Sequence, residues 1–161
     1  MSSKSPDRTR GWSGAADAVW AFDVDGTLIG SIRSDVLRPG ACELLATLVR
    51  SGASCVLWSA GGADYARRMA ARHGIEHHFV AFYEKDRRDA DGKYRVDHFA
   101  AHHQPHVFVD DSPIDLRDDV HTIAVPQFIG GNLADAGLSS LLRSLQHAMI
   151  TTTPTGEAHD G

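Results

Sequence analysis

Cysteine is scarce in this chain of 161 residues, with only Cys42 and Cys55 present. Two cysteines are too few for the disulfide framework that stabilises many small secreted domains. Both lie in apolar, periodic segments, so we expect reduced thiols in the core of a cytoplasmic protein. A chain of this length is expected to form one domain that buries a core of its own.

Long hydrophobic runs and an excess of positive charge are also missing. No apolar run reaches the roughly 18 residues that a membrane-spanning helix needs, and the first residues lack the apolar region of a signal peptide. Sixteen Lys and Arg against 21 Asp and Glu give a formal net charge of −5, which does not indicate a nucleic-acid or membrane binder. We therefore expect no membrane partner, and nucleic acid stays open only as a substrate.

Polar segments flank a central region in which apolar runs alternate with helical patterns. Residues 1–17 and 151–161 are poor in apolar residues, and we predict a flexible leader and a disordered tail. Between them lie the apolar runs that predict strands, at Val19–Phe22, Ser54–Trp58, His78–Phe82, Val107–Val109 and Thr122–Val125. The segment Leu28–Leu37 fits neither period and predicts a small excursion beside the first strand.

Helical patterns separate these runs and set the fold class. The predicted helices run from Pro39 to Gly52, from Ala63 to Gly74, over about Val96–His103 and over about Leu138–Met149. Apolar strands that alternate with helices indicate a parallel sheet covered on both faces. The sequence therefore predicts an α/β protein, with a three-layer α/β/α Rossmann-like fold around a central parallel sheet of about five strands, in residues 18–150.

Acidic and hydroxyl residues follow the predicted strands. Asp23 and Asp25 come after the first strand, Ser59 after the second, and Asp110 and Asp111 after the fourth. Ligands of such sheets bind beyond the carboxyl ends of the strands, so we expect these residues along one rim. Several carboxylates would raise each other's pKa unless a cation lay among them. Oxygen ligands of this kind favour Mg²⁺, which shares its remaining positions with water and phosphate.

These residue types can together transfer a phosphoryl group. A carboxylate beside the cation can attack phosphorus and form an aspartyl phosphate. A second carboxyl two positions on can protonate the leaving oxygen and then activate the water that hydrolyses the intermediate. A lysine and a hydroxyl can hold the phosphate oxygens as charge spreads over them. Gly26 allows a sharp turn that can direct backbone N–H groups to the phosphate.

The same residues resemble signature motifs of the haloacid dehalogenase superfamily in its phosphatase form. D-V-D-G-T at 23–27 is similar to the first motif, V-L-W-S at 56–59 to the second, and V-F-V-D-D-S-P-I-D at 107–115 to the fourth. The resemblance extends from about Val19 to Val125. It implies the phosphatase branch, because the dehalogenases of this family lack an acid at the position of Asp25.

The resemblance implies a role for each matching carboxylate. Asp23 would be the nucleophile and a metal ligand. Asp25 would be the general acid/base, and its backbone carbonyl would also bind the metal. Asp111 would complete the Mg²⁺ site, and Asp110 and Asp115 would support it.

The third motif of the family is a lysine, and the chain offers Lys85 and Lys93. Family members commonly place this lysine just before the helix that precedes the fourth motif, often with an aromatic residue six positions on. Lys93 with Phe99 fits that pattern and is the lysine we favour, whereas Lys85 fits only by its larger separation from Asp110. The residues that we expect to contact the phosphate, in addition to Lys93, are Gly26, Thr27, Ser59 and Ala60.

The intervals between the motifs predict a protein without a cap domain. The first interval, from Asp25 to Ser59, holds only the excursion and one helix, and the second ends at Lys93 after one helix, one strand and a short polar loop. An uncapped site is open, which suits a phosphate on a macromolecule or a small substrate covered by another subunit. An oligomer is therefore left open, and the identity of the phosphorylated substrate cannot be read from the sequence.

The sequence thus predicts a Mg²⁺-dependent phosphomonoester hydrolase. Two hypotheses from other functional classes stay open. A signalling receiver module also uses an acidic pair, a phosphorylated Asp, a hydroxyl and a lysine. Receivers place the acidic pair after the first strand, whereas here the pair Asp110-Asp111 follows the hydroxyl of Ser59. The second alternative is a catalytically silent binding module with the same fold.

Overall fold

A computed structural model describes residues 17–85 and 88–151 of the chain. Residues 1–16 and 152–161, which make up nearly all of the predicted leader and tail, lie outside the described part. The described residues form one sheet with the strands β1 (Val19–Asp23), β2 (Ser54–Ser59), β3 (Phe79–Glu84), β4 (Val107–Asp110) and β5 (Thr122–Ala124). All five predicted strands are confirmed, and the largest shift is at the end of β3, which runs on to Glu84.

Three α-helices accompany the sheet in the part of the chain that the structure describes: α1 (Ala41–Arg50), α2 (Ala63–Arg72) and α3 (Gly137–Thr151). They confirm three of the four predicted helices. No described helix is both long and apolar enough to cross a membrane.

The fourth predicted helix, over Val96–His103, is wrong. Only a single 3₁₀ turn, Ala101–His103, forms there. A helix this short is unstable unless a full apolar face packs against the protein, and Phe99 is the only buried side chain of residues 96–103. The backbone N–H of Ala100 instead donates to the Tyr83 hydroxyl at 3.3 Å.

All strands of the sheet are parallel, in the order β3-β2-β1-β4-β5. The chain first moves outward from β1 through β2 to β3, and then crosses back to place β4 on the other side of β1. The strand order therefore reverses between β1 and β4, which makes their carboxyl ends the topological switch point. Register places Asp23 opposite Trp58, so the ends of β1 and β2 also lie at this edge.

Alternate strand residues face two different cores. On one face, Trp20, Phe22 and Leu57 pack with the buried residues of all three helices. The crossovers β1–α1–β2 and β2–α2–β3 run in the same direction along the sheet, and because parallel crossovers are as a rule right-handed, α1 and α2 lie on the same face. On the other face, Trp58 and its neighbours pack with Phe99 and Leu116, from the segments on either side of β4. The three-layer Rossmann-like fold is confirmed, and its third layer consists of these irregular segments.

The described residues contain no cap domain. The excursion Leu28–Leu37 is short and closes on itself through an antiparallel bridge between Ile29 and Leu37. The backbone N–H of Gly30 donates to the Val36 carbonyl at 2.9 Å, which tightens the same excursion. The carboxyl edge of β1 and β4 therefore has no folded unit of the described residues above it.

The two cysteines differ in burial. Cys55 on β2 is buried, and burial raises the pKa of its thiol to about 12. Cys42 is exposed, so the expectation that it lies in the core is wrong. Helical spacing places it outside, because the buried face of α1 is formed by Ala41, Leu44, Leu45 and Leu48.

Candidate functional site

Three carboxylates converge at the switch point of the sheet. Asp23 is the last residue of β1, Asp110 is the last residue of β4, and Asp111 follows directly. One oxygen from each of the three lies within 4.8 Å of the others. Asp23 and Asp110 are buried and Asp111 is half-buried. The sequence prediction that these residues gather at one rim is therefore confirmed for all three.

Lys85 lies between two of these carboxylates. Its Nζ donates to Asp23 Oδ1 at 2.8 Å and to Asp110 Oδ2 at 2.9 Å. The lysine side chain is only 6% exposed, and its ammonium lies 4.7 Å from the centre of the Trp58 ring. Its backbone N–H donates to the Ser59 carbonyl at 2.9 Å, which extends the pairing of β2 and β3 by one residue.

Lys93 lies elsewhere, so the preference for Lys93 as the lysine of this site is wrong. Its ammonium donates to the Ile114 carbonyl, and its backbone N–H donates to the Asp89 carboxylate at 3.0 Å. The spacing that favoured Lys93 requires a helix after the lysine, and no α-helix forms over residues 96–103. Lys85, in contrast, directly follows β3 and is therefore held at the edge where ligands bind.

Burial and the opposite charge of a neighbour shift the pKa values of Asp23, Asp110 and Lys85 in opposite directions. Burial raises the pKa of Asp23 to about 6, although Lys85 pulls it down and Asp111 adds a smaller rise. Burial also raises the pKa of Asp110. For Lys85, burial lowers the pKa, but the charges of Asp23 and Asp110 outweigh it and the net shift is upward. With all four groups ionised, three carboxylates and one ammonium leave a formal charge of −2.

Thr27 connects the turn after β1 to Asp111. Thr27 is fully buried, and its hydroxyl lies 2.9 Å from Asp23 Oδ2 and 3.2 Å from Asp111 Oδ1. The same oxygen accepts the backbone N–H of Asp111 at 3.1 Å. A hydroxyl has one proton to donate, so it serves one of the two carboxylates at a time. Thr27 thereby fixes the distance between the ends of β1 and β4.

Gly26 allows Asp111 to approach this turn. Its φ is 83°, a conformation that residues with a side chain rarely adopt, and a Cβ at this position would clash with Asp111 Oδ2. The backbone N–H groups of Gly26 and Thr27 donate to the carbonyls of Ile29 and Val24 at 2.7 and 3.3 Å. Contact of Gly26 and Thr27 with a phosphate stays a prediction, and these N–H groups already have acceptors within the turn.

Ser59 ends β2 and shapes the turn into α2. It is buried, its hydroxyl accepts the backbone N–H of Gly61 at 3.0 Å, and its carbonyl accepts that of Gly62 at 3.1 Å. The neighbouring Ala60 is exposed. Because the Ser59 oxygen is the acceptor in the bond with Gly61, that bond does not use the hydroxyl proton.

Asp25 lies apart from the three gathered carboxylates. Its side chain is exposed, and its Oδ1 accepts a hydrogen bond of 2.8 Å from the Tyr65 hydroxyl. Tyr65 lies in the first turn of α2. Tyr65 was not identified as a site residue from the sequence. It could have been, because α2 begins at the edge where ligands bind and Tyr65 is a polar aromatic residue in its first turn.

Arg38 is a second residue that sequence reasoning missed. It is fully buried, and its Nε and Nη2 pair with the Asp135 carboxylate at 2.6 and 3.1 Å. Nη1 donates to the Thr27 carbonyl at 3.2 Å, and Nη2 donates to the Pro126 carbonyl at 2.7 Å. Arg38 thus ties the turn after β1 to the segment between β5 and α3.

Comparison with known proteins supports the fold and indicates no function. Neither a family model nor a curated protein matches the sequence. The crystal structure of an uncharacterized protein from Listeria monocytogenes serotype 4b is similar, with a TM-score of 0.57. The two proteins are 17% identical, and the match covers 81% of this chain and 98% of the other. At this identity, the likeness shows a common fold alone.

Proposed function

We propose that this protein is a Mg²⁺-dependent phosphomonoester hydrolase that forms an aspartyl phosphate on Asp23. The observation that carries the proposal is the convergence of Asp23, Asp110 and Asp111 at the switch point of the sheet, with the Lys85 ammonium between Asp23 and Asp110. The resemblance of D-V-D-G-T and of the two later motifs to haloacid dehalogenase phosphatases supports the same assignment. In this assignment Lys85 takes the role first expected of Lys93.

The donor set of the cluster fits a divalent cation. Its ligand atoms are carboxylate oxygens, the type that Mg²⁺ prefers, and its formal charge of −2 would be neutralised by one such ion. Asp23, Asp110 and Asp111 would hold the ion, together with the backbone carbonyl of Asp25. When bound, Mg²⁺ would supply positive charge against the phosphate oxygens.

The residues of the site divide the reaction among themselves. Asp23, ionised above its pKa of about 6, attacks phosphorus, and the bond from phosphorus to the leaving oxygen breaks. Asp25 gives a proton to that oxygen and later takes one from the water that hydrolyses the acyl phosphate. Lys85 orients Asp23 and adds positive charge where the phosphate oxygens gather. Ser59 donates its hydroxyl proton to a phosphate oxygen.

The uncapped carboxyl edge of the sheet indicates which class of substrate the site can accept. Since the described residues form no cap, the group that carries the phosphate can extend away from the protein. We therefore infer a phosphorylated macromolecule, or a small molecule covered by a second subunit. The free thiols of Cys42 and Cys55 suit a reducing compartment, and we infer a cytoplasmic location.

The test is the hydrolysis of p-nitrophenyl phosphate with Mg²⁺, with EDTA, and by the Asp23→Asn variant. We expect activity that needs Mg²⁺ and that falls more than about 10³-fold in Asp23→Asn, because the amide cannot attack phosphorus. Asp91→Asn is the matched control, since Asp91 is an exposed carboxylate outside the cluster, and it should retain full activity.

Three outcomes would contradict the proposal in different ways. Activity that survives both EDTA and Asp23→Asn would exclude the mechanism. Stoichiometric phosphorylation of Asp23 by a small acyl phosphate, without turnover, would favour the receiver module. Absence of hydrolysis and of phosphorylation across sugar, nucleotide and phosphopeptide substrates would favour the silent binding module.

A further inference from the structure

Tyr65 contacts Asp25, the proposed general acid, which lies apart from the buried carboxylates. The Tyr65 hydroxyl donates to Asp25 Oδ1 at 2.8 Å, although the two residues are 40 positions apart in the sequence. Asp25 is exposed, and an exposed side chain that lacks such a contact exchanges between rotamers on the picosecond to nanosecond timescale. A bond from a fixed donor would select one of these rotamers.

Tyr65 has the support that a fixed donor needs. It lies on α2 and packs against the core cluster between the sheet and the helices. Its ring also fills the space above the turn after β2, since a Cβ at Gly61 would lie 2.7 Å from Tyr65 Cδ1. The Tyr65 hydroxyl, which has one proton to donate, is therefore held beside the Asp25 carboxylate.

We propose that Tyr65 is a positioning residue that orients the Asp25 carboxyl toward the leaving oxygen. This inference rests on the function proposed above. The bond engages Oδ1, so proton transfer would take place at Oδ2. Orientation matters for this step because a general acid must lie within hydrogen-bond distance of the oxygen that it protonates.

The experiment compares Tyr65→Phe with Tyr83→Phe on two substrates. Each variant removes one hydroxyl, and the Tyr83 hydroxyl bonds to His103 Nδ1 at 2.8 Å and to the Ala100 N–H, outside the carboxylate cluster. p-Nitrophenyl phosphate has a leaving group that departs as a stable anion, whereas the alkoxide of benzyl phosphate needs a proton from the acid. We compare kcat/KM, because it reports the steps up to formation of the aspartyl phosphate.

We expect Tyr65→Phe to lower kcat/KM for benzyl phosphate about tenfold more than for p-nitrophenyl phosphate, as part of general acid catalysis is lost. Tyr83→Phe should leave the ratio of the two values unchanged. An equal fall on both substrates, which a merely structural role would produce, overturns the proposal, as does no change on either.

Failure of the proposed function can be told apart from failure of this inference. If the wild-type protein hydrolyses neither substrate, the proposed function fails and crystal structures of wild type and Tyr65→Phe decide the positioning role. One Asp25 rotamer in the wild type and several in the variant support that role. The same single rotamer in both proteins overturns it.

Discussion

The proposed active site has an inner half and an outer half that are held together by different forces. The inner half consists of Asp23, Lys85 and Asp110, which are buried and joined by two ion pairs of 2.8 and 2.9 Å. The outer half consists of Asp25 and Tyr65, where an exposed carboxylate accepts one hydrogen bond. Charges in the inner half must compensate one another, because an unpaired buried charge is strongly unfavourable. Water solvates the carboxylate of the outer half, so the stability of the fold depends far less on the partner of this carboxylate.

The difference in burial between the two halves suits the proposed roles of Asp23 as nucleophile and Asp25 as general acid/base. A nucleophile benefits from removal from water and from a fixed position, and Asp23 has both through burial and Lys85. A general acid/base must exchange protons with substrate and solvent, which requires exposure. We therefore expect substitutions in the inner half to change stability and activity together, and substitutions in the outer half to change activity alone.

Lys85→Met should produce the largest change in stability. It removes the cation from two buried carboxylates whose side chains are 11% and 3% exposed. The free energy of unfolding, measured by urea titration in EDTA, should fall by about 3–5 kcal/mol. Lys93→Met is the matched control and should stay within about 0.5 kcal/mol of wild type. Equal losses in the two variants would show that the inner half is not held by its charges.

Gly26→Ala should have the second-largest effect, because Gly26 joins the two halves in the sequence D-V-D-G-T. Its φ of 83° strains a residue with a side chain, and the added Cβ would displace Asp111. We expect a loss of about 1–3 kcal/mol in the free energy of unfolding and weaker Mg²⁺ binding by calorimetry.

Gly92→Ala separates the effect of backbone strain from the effect of the clash with Asp111. Gly92 has a similar φ of 76°, and no atom lies within 4 Å of the position of its Cβ, so its substitution adds strain without a clash. If both variants lose the same free energy of unfolding and Gly26→Ala binds Mg²⁺ normally, the close approach of Asp111 to the turn contributes neither to stability nor to Mg²⁺ binding.

The sequence predicted the positions that follow apolar strands. Parallel strands end at a common edge, so apolar runs before Asp23, Ser59 and Asp110 were enough to indicate that these residues share one edge. The same argument favours Lys85 once β3 is known to reach Glu84, since Lys85 is then the next residue. Lys93 was favoured on the spacing to a helix over residues 96–103 that does not form, and the third strand was predicted to end at Phe82, two residues before its observed end, which left Lys85 without a place at the edge.

Other parts of the site depend on contacts that no local pattern encodes. Tyr65 lies 40 residues from Asp25, and Arg38 lies 97 residues from Asp135. An isolated arginine in a sequence is more often solvated than buried, so its burial follows only from the tertiary structure. The segment 96–103 has helical spacing but buries only Phe99, and tertiary packing decides such marginal cases.

Asp25→Asn should have the smallest effect on stability and one of the larger effects on catalysis. Asparagine keeps the shape and an oxygen that can accept the Tyr65 hydroxyl, and the position is exposed. The free energy of unfolding should therefore stay within about 0.5 kcal/mol of wild type, while kcat/KM for benzyl phosphate should fall about 10²–10⁴-fold. Asp110→Asn is the comparison from the inner half, because it removes a buried partner of Lys85 and should lose about 1–3 kcal/mol. If the two variants lost equal stability, burial and pairing would not distinguish the halves, and the acid at Asp25 would have to be treated as part of a single charged network.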